Sequence, residues 1–101
     1  MTIRSLGRLM DLSGRTAMVT GGAGHISLAA SQALVEMGAR VAVLDLDEHA
    51  CRQRVDELSG IKQGSAFAIP CDLKDEQATR QAVRETIATG NGLDILVHTA
   101  A

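Results

Sequence analysis

The sequence is almost without aromatic side chains. Among 101 residues there is no tryptophan and no tyrosine, and Phe67 is the one phenylalanine. A hydrophobic core must therefore be built from aliphatic side chains and methionine. Proteins that bind single-stranded nucleic acid stack the bases on aromatic side chains. The shortage of such side chains argues against that class of partner.

The sequence also lacks an excess of charge of one sign. Ten lysines and arginines stand against twelve acidic residues, for a formal net charge of −2. Basic and acidic residues are interspersed, so no charged surface for nucleic acid or a membrane is indicated. With 46% hydrophobic and 22% charged residues, the composition is typical of a soluble globular protein. We expect one domain over residues 1–101 and a small-molecule partner.

Long hydrophobic runs and paired cysteines are missing as well. The opening MTIRSLGRLM contains no apolar stretch long enough for a signal peptide or a membrane span, which predicts a cytoplasmic location. Cys51 and Cys71 are too far apart for the paired spacing of a zinc site, so no metal site is expected. We expect both thiols to be reduced and to serve packing.

Apolar, β-branched runs alternate with helical patterns along the chain. The predicted strands are Thr16–Thr20, Arg40–Asp47, Ser65–Leu73 and Leu93–Ala101. In the first predicted helix, which ends at Gly38, the residues expected to face the core are Ile26, Ala29, Ala30, Ala33, Leu34 and Met37. The corresponding residues are Cys51, Val55 and Leu58 in the second helix, and Ala78, Ala82 and Ile87 in the third, predicted over Asp75–Thr89 and followed by a break at Gly90–Gly92. This alternation predicts an open α/β sheet of parallel strands joined by right-handed crossovers.

A glycine-rich stretch joins the first strand to the first helix. Gly22, Gly24 and Ser27 follow the spacing G-x-G-x-x-G/A, with serine at the last small position. Glycine permits a tight turn and lets a pyrophosphate approach the backbone, where the helix N-terminus offers free N–H groups. A glycine-rich corner between strand and helix also occurs without any ligand. No Gly-Lys-Ser/Thr follows, which argues against a nucleoside triphosphatase loop.

An acidic residue ends the second predicted strand. Asp45 lies about twenty residues after the turn, where dinucleotide-binding proteins place a carboxylate on the ribose hydroxyls. That carboxylate repels a 2′-phosphate, and no arginine follows it, so NAD is favoured over NADP. The alternative is that Asp45 only solvates the end of a strand.

Three segments resemble the short-chain dehydrogenase/reductase family, over essentially the whole chain, as the amino-terminal half of its fold. They are DLSGRTAMVTGG (11–22), CDL (71–73) and LDILVHTAA (93–101). The resemblance implies a Rossmann-type, doubly wound parallel sheet, here partial, with four strands in the order 3-2-1-4 and three helices. The cofactor-binding residues we expect on this basis are Gly21, Gly22, Gly24, Ile26, Asp45, Asp72, Leu73 and Ala100.

The turn departs from the family pattern at two positions. His25 and Ser27 stand where the classical branch has glycine, whereas the extended branch, which includes sugar-nucleotide epimerases, also has a larger residue at the position of His25. The subfamily therefore stays open. Ser27 is expected either to weaken cofactor binding through its bulk or to donate a hydrogen bond to a phosphate.

Other candidate residues have structural alternatives. Asp72 is expected either to contact adenine or to cap the third helix, with Asp75 three positions later completing a capping-box-like arrangement. His25, His49 and His98 are scattered and have no nucleophile or acidic partner close in the sequence. We assign them no catalytic role.

The resemblance implies hydride transfer assisted by a serine, a tyrosine and a lysine four residues after the tyrosine. In the family these residues follow the fourth strand, and this chain contains no tyrosine. We therefore expect the cofactor-binding half of an NAD-dependent oxidoreductase, inactive by itself, with a small-molecule substrate and homo-oligomerisation only in the full-length parent. The alternatives are a stand-alone NAD-binding or regulatory module, and half of an extended-branch epimerase or dehydratase.

Overall fold

A computed structural model describes residues 11–21 and 24–99 of the chain. In this part of the chain four strands alternate with three helices. They are β1 (Thr16–Thr20), α1 (His25–Glu36), β2 (Arg40–Asp45), α2 (Glu48–Ser59), β3 (Ala66–Pro70), α3 (Glu76–Gly90) and β4 (Ile95–His98). The predicted Gly22 and Ala100 lie outside the described residues.

The strands form one parallel sheet in the order β3-β2-β1-β4. This confirms the predicted partial Rossmann-type fold. In the register of the sheet, Met18 of β1 lies between Ala42 of β2 and Leu96 of β4. Because parallel strands all run the same way, their carboxyl ends meet at one edge of the sheet, where open α/β folds bind ligands.

Helices cover both faces of the sheet. Ala17 and Val19 of β1 pack in one hydrophobic cluster with residues of α1 and α2. Met18, between them in sequence, points to the opposite face and shares a second cluster with Ala82 of α3. Successive side chains of a strand alternate between the two faces, so β1 and β2 are buried on both sides. This explains their near-continuous apolar sequences.

The buried face of α1 differs from the predicted one. Its buried residues are Ser27, Ser31, Leu34 and Val35, whereas the Ile26 side chain is 79% exposed. Of the six residues expected on the inner face, only Leu34 is buried. Small serine side chains let the helix lie close to the sheet. Because serine is polar, a prediction based on the spacing of apolar residues does not identify this face as the buried one.

In α3 one of three predicted core residues is wrong. Ala82 is buried, but Ile87 is 46% exposed and Thr86 is buried in its place. Residue 86 lies four positions after residue 82 and therefore on the same helical face. The hydroxyl of Thr86 is satisfied by donating to the Ala82 carbonyl at 2.8 Å.

The ends of the elements also differ from the predicted ones. The second, third and fourth strands are shorter than predicted, and α3 includes Gly90, which was expected in the break. The hydroxyl of Thr16 donates to the carbonyl of Gly90 at 2.8 Å. A Cβ at residue 90 would lie 2.5 Å from the Thr16 Cγ2. The close approach of helix and strand therefore requires glycine there.

Left-handed residues follow α1 and α3, as is common at helix C-termini. Gly38 follows α1 with φ +102°, which confirms its predicted role, and Asn91 follows α3 with φ +59°. Within the ranges 11–21 and 24–99, no helix is long and apolar enough to cross a membrane.

Candidate functional site

A cavity of about 450 Å³ opens at the carboxyl edge of the sheet. Its lining residues come from the ends of all four strands and from the segments that follow them: Gly21, Asp45, Leu46, Cys71, Asp72, Leu73, Lys74 and His98. Half of these eight residues were predicted to bind the cofactor, and they come from three segments that are distant from one another in sequence. The volume lies in the range of small-molecule sites, about 300–1,000 Å³.

The turn after β1 begins at a glycine in a left-handed conformation. Gly21 has φ +67°, a left-handed conformation that glycine adopts without steric cost. The N–H of Gly24 donates to the Gly21 carbonyl at 3.1 Å, which closes the turn. Gly24 then occupies the N-cap position of α1. The chain therefore reverses from strand to helix within a few residues, beside the cavity.

The N-terminus of α1 has no side-chain cap and no acidic residue in its first turn. The first N–H groups of a helix have no partner within the helix and lie at the positive end of its dipole. By contrast, α2 is capped by Asp47, whose side chain accepts from the N–H of Ala50. Ile26 belongs to the first turn of α1 but is not among the residues that line the cavity. The arrangement suits an anionic ligand at α1.

Asp45, the last residue of β2, is half-buried and lines the cavity. Its Oδ1 accepts a long hydrogen bond, 3.4 Å, from the N–H of Asp47. The next side chain, Leu46, is 71% exposed and also lines the cavity. A carboxylate beside an apolar side chain can accept hydrogen bonds from hydroxyl groups, and neither side chain attracts an additional phosphate.

Asp72 does not cap the third helix, so that alternative is wrong. Asp75 is the N-cap, and its carboxylate accepts from the N–H groups of Gln77 and Ala78 at 3.0 and 3.2 Å. A capping side chain must directly precede the first helical residue, and Asp72 lies four positions before it. Asp72 instead accepts the N–H of Lys74 at 3.0 Å. Its exposed carboxylate lines the cavity.

Ser27 is buried against the glycine turn. Its Oγ lies 2.5 Å from the Gly21 carbonyl oxygen and 2.5 Å from the Thr99 Oγ1. The Thr99 hydroxyl donates to the Thr20 carbonyl at 2.7 Å. Because a serine hydroxyl has one proton, and this one is shared between protein acceptors, the suggested donation from Ser27 to a phosphate does not fit the geometry.

Two polar residues of the cavity lining were not among the predicted site residues: His98, which was assigned no catalytic role, and Lys74. The His98 Nδ1 lies 2.7 Å from the Thr20 Oγ1, and the imidazole ends β4. The signal that could have found both residues is their position, because residues that end or follow parallel strands converge at one edge of the sheet.

The two cysteines have raised pKa values, with burial as the main cause. Burial, and next the charge of Asp45, raises the pKa of Cys51 to about 11. Burial also raises the pKa of the Cys71 thiol, which lines the cavity. Both thiols are therefore protonated near neutral pH, as packing residues are.

In the described ranges, no three His, Cys, Asp or Glu side chains are grouped so that they could hold a metal ion.

Comparisons with known proteins agree with this geometry. A short chain dehydrogenase/reductase of Macrophomina phaseolina is 38% identical over 91 residues, which cover 90% of this chain and 52% of that protein. The crystal structure of a dehydrogenase/reductase from Sinorhizobium meliloti superimposes with a TM-score of 0.90 at 37% identity, covering 98% of this chain and 39% of that one. The chain thus spans about half of that relative and less than half of that solved structure.

Similar solved structures contain either nicotinamide cofactor. A xylitol dehydrogenase bound to NAD+ has a TM-score of 0.79 and 28% identity, over 84% of this chain and 32% of that one. A metagenomic short-chain oxidoreductase in complex with NADP has a TM-score of 0.82 and 31% identity, over 89% of this chain and 40% of that one. The sequence pattern of the short chain dehydrogenases matches residues 15–101. The chain therefore belongs to the short-chain dehydrogenase/reductase family.

Proposed function

We propose that residues 1–101 form a single dinucleotide-binding domain of an NAD-dependent oxidoreductase. The observation that carries the proposal is the shared cavity of Gly21 and Asp45, which follow and end neighbouring parallel strands. Gly21 supplies the backbone turn that a pyrophosphate can approach, and Asp45 supplies a carboxylate that can accept hydrogen bonds from a ribose. This pairing is the functional core of a dinucleotide site.

The remaining assignments combine two residues of the cavity lining with residues of the turn and of the segment after β4. The pyrophosphate lies against Gly22, Gly24 and Ile26 at the N-terminus of α1, where the dipole and the free N–H groups favour anions. The adenine lies beside Asp72 and Leu73, which line the same cavity as Asp45. Ala100, which follows β4 in the sequence, is assigned to the nicotinamide end of the cofactor.

The charges around the ribose favour NAD over NADP. The carboxylate of Asp45 would accept hydrogen bonds from both ribose hydroxyls and would repel a 2′-phosphate. Leu46, which follows it, offers no positive charge. Lys74 also lines the cavity, and its ammonium would favour a 2′-phosphate. The preference for NAD follows from Asp45, because dinucleotide-binding folds use a carboxylate at the end of this strand to contact the ribose directly.

When bound, the nicotinamide accepts or donates the hydride, and the protein must supply the proton and the orientation of the substrate. In the family a tyrosine is the proton donor, and this chain contains none. We propose that the chain binds the cofactor without turning over a substrate by itself. Proton transfer, the substrate pocket and homo-oligomerisation belong to a full-length parent.

Calorimetric titration of the purified protein with NAD and, separately, NADP tests the proposal. We expect heat of binding with both ligands and a smaller dissociation constant for NAD. Tighter binding of NADP would overturn the ribose assignment, and binding of neither would overturn the proposed function. Sequencing the coding DNA past codon 101 tests the half-enzyme interpretation, which requires an open frame with a Tyr-x-x-x-Lys motif.

A further inference from the structure

Arg54 is a buried arginine on α2 that reaches the N-terminus of α1. The residue is only 8% exposed. Its Nη1 donates to the Glu57 carboxylate at 2.6 Å, and its Nη2 donates to the carbonyl of Gly24 at 3.4 Å. Burying a guanidinium is costly because the charge loses its hydration. The buried guanidinium therefore depends on its hydrogen-bond partners for compensation.

The carbonyl of Gly24 has two donors from different elements. It accepts the Arg54 guanidinium and also the N–H of Leu28, at 3.0 Å, which is the first hydrogen bond of α1. A trans peptide is planar, and its C=O and N–H point in opposite directions. Holding the Gly24 oxygen towards α1 and α2 therefore directs the His25 N–H outward, away from the helix. That N–H is the first of those that a phosphate at the helix N-terminus would contact.

The positive charge of Arg54 also favours an anion at the N-terminus of α1. A cation near the positive end of a helix dipole disfavours the helix and favours any anion bound there. The first turns of α2 and α3 contain the acidic residues Glu48 and Glu76, whereas α1 has none. Glu57 compensates the guanidinium in part, but its side chain is 52% exposed and its charge is screened by water.

We propose that Arg54 is a positioning residue for the pyrophosphate of the dinucleotide, acting through the Gly24 carbonyl and through its charge at the N-terminus of α1. The inference rests on the proposed function, since it requires a phosphate ligand at this turn. It adds Arg54, on the neighbouring helix α2, to the residues that are proposed to act on the dinucleotide.

The test compares a ligand that has the pyrophosphate with one that lacks it. Dissociation constants for ADP and for adenosine are measured by calorimetry on the wild type, Arg54→Met, Arg54→Lys and Arg52→Met. The last is a matched control, because Arg52 lies on the same helix, is exposed and pairs with Glu48 at 3.0 Å. Thermal melting of each protein reports its folding.

We expect Arg54→Met to weaken ADP binding by about tenfold and to change adenosine binding by less than about twofold. Arg54→Lys keeps the charge but loses the fork that reaches both acceptors, so its ADP affinity should fall between those of the wild type and Arg54→Met. Arg52→Met should bind both ligands as the wild type does.

An additional variant, Glu57→Gln, keeps the inference testable if Arg54→Met does not fold. Glutamine retains an acceptor for Arg54 but removes the compensating charge, so ADP should bind about two- to threefold more tightly. A purely structural role for Arg54 predicts no such gain. Unchanged ADP binding in the Arg54 variants, or an equal loss for adenosine, would overturn the inference alone. A wild type that binds neither ligand would overturn the proposed function, and the inference with it.

Discussion

The Ser27 hydroxyl lies 2.5 Å from the Thr99 hydroxyl, across 72 positions of sequence. The contact joins the first turn of α1 to the residue that follows β4. The Ser27 Oγ also meets the Gly21 carbonyl, and Thr99 donates to the Thr20 carbonyl. Serine at the last small position of the turn is therefore part of a part-buried polar connection between the glycine turn and the segment that follows the fourth strand.

Replacing Ser27 by alanine should destabilise the protein. The change leaves the part-buried Gly21 carbonyl and the Thr99 hydroxyl with one fewer partner, at an expected cost of about 1–2 kcal/mol in the free energy of unfolding. Ser31→Ala is the matched control, because Ser31 is buried one turn later in α1 and its Oγ has no hydrogen-bond partner among the described residues. Urea denaturation of both variants makes the comparison, and equal losses would refute the role of the hydroxyl.

Asp45→Ala should weaken NAD more than NADP. Losing two hydrogen bonds from ribose hydroxyls to a carboxylate should raise the NAD dissociation constant by about tenfold or more. The same change removes repulsion from a 2′-phosphate, so the NADP affinity should fall less or rise. Asp56→Ala, on the exposed surface of α2, controls for the loss of one negative charge. Equal losses for both cofactors in calorimetry would contradict the ribose assignment.

Asp72 and Asp75 should respond in opposite ways to replacement by alanine. Asp75 caps α3, so Asp75→Ala should lower the free energy of unfolding by about 1 kcal/mol and leave cofactor affinity unchanged. Asp72→Ala should weaken the binding of NAD with little change in stability, because that carboxylate is exposed at the cavity. Denaturation and titration of the two variants separate the roles. The adenine assignment fails if Asp72→Ala binds NAD like the wild type.

Cys51 should make stability fall at alkaline pH. Its thiol has a pKa raised to about 11 in the folded protein, against 9.0 ordinarily. Between these values the folded state holds a proton that the unfolded state has released, so the stabilisation present below pH 9 is lost as pH rises towards the folded pKa. Cys51→Ala should make the decline shallower by up to about 1.4 kcal/mol per pH unit. Guanidinium denaturation from pH 8 to 10.5 measures both slopes, and identical slopes would contradict the shift.

Part of the candidate site could be predicted from the sequence because local patterns determine it. Gly21 and Asp45 lie where a strand meets a turn. The glycine turn is readable within a few residues, and Asp45 was predicted from its position about twenty residues after that turn, at the end of the next strand. Asp72 was predicted in the site from the family resemblance. The sequence left two roles open for its side chain, contact with adenine and capping of the third helix. The capping rule separates them only once the first residue of α3 is known, and helix ends are the least certain part of a periodic pattern.

The sequence by itself determined the alternation of strands and helices and the place of the glycine turn. Those two features follow from hydrophobic periodicity and backbone preferences, which act between near neighbours in the chain, whereas the order of the sheet was predicted from the resemblance to the family. Only the tertiary structure decided that Ser27, rather than Ile26, faces the sheet and that Arg54 meets Gly24. It also decided that His98 lies in the cavity. These relationships depend on how closely one element packs on another, and that distance is decided by side chains far apart in sequence.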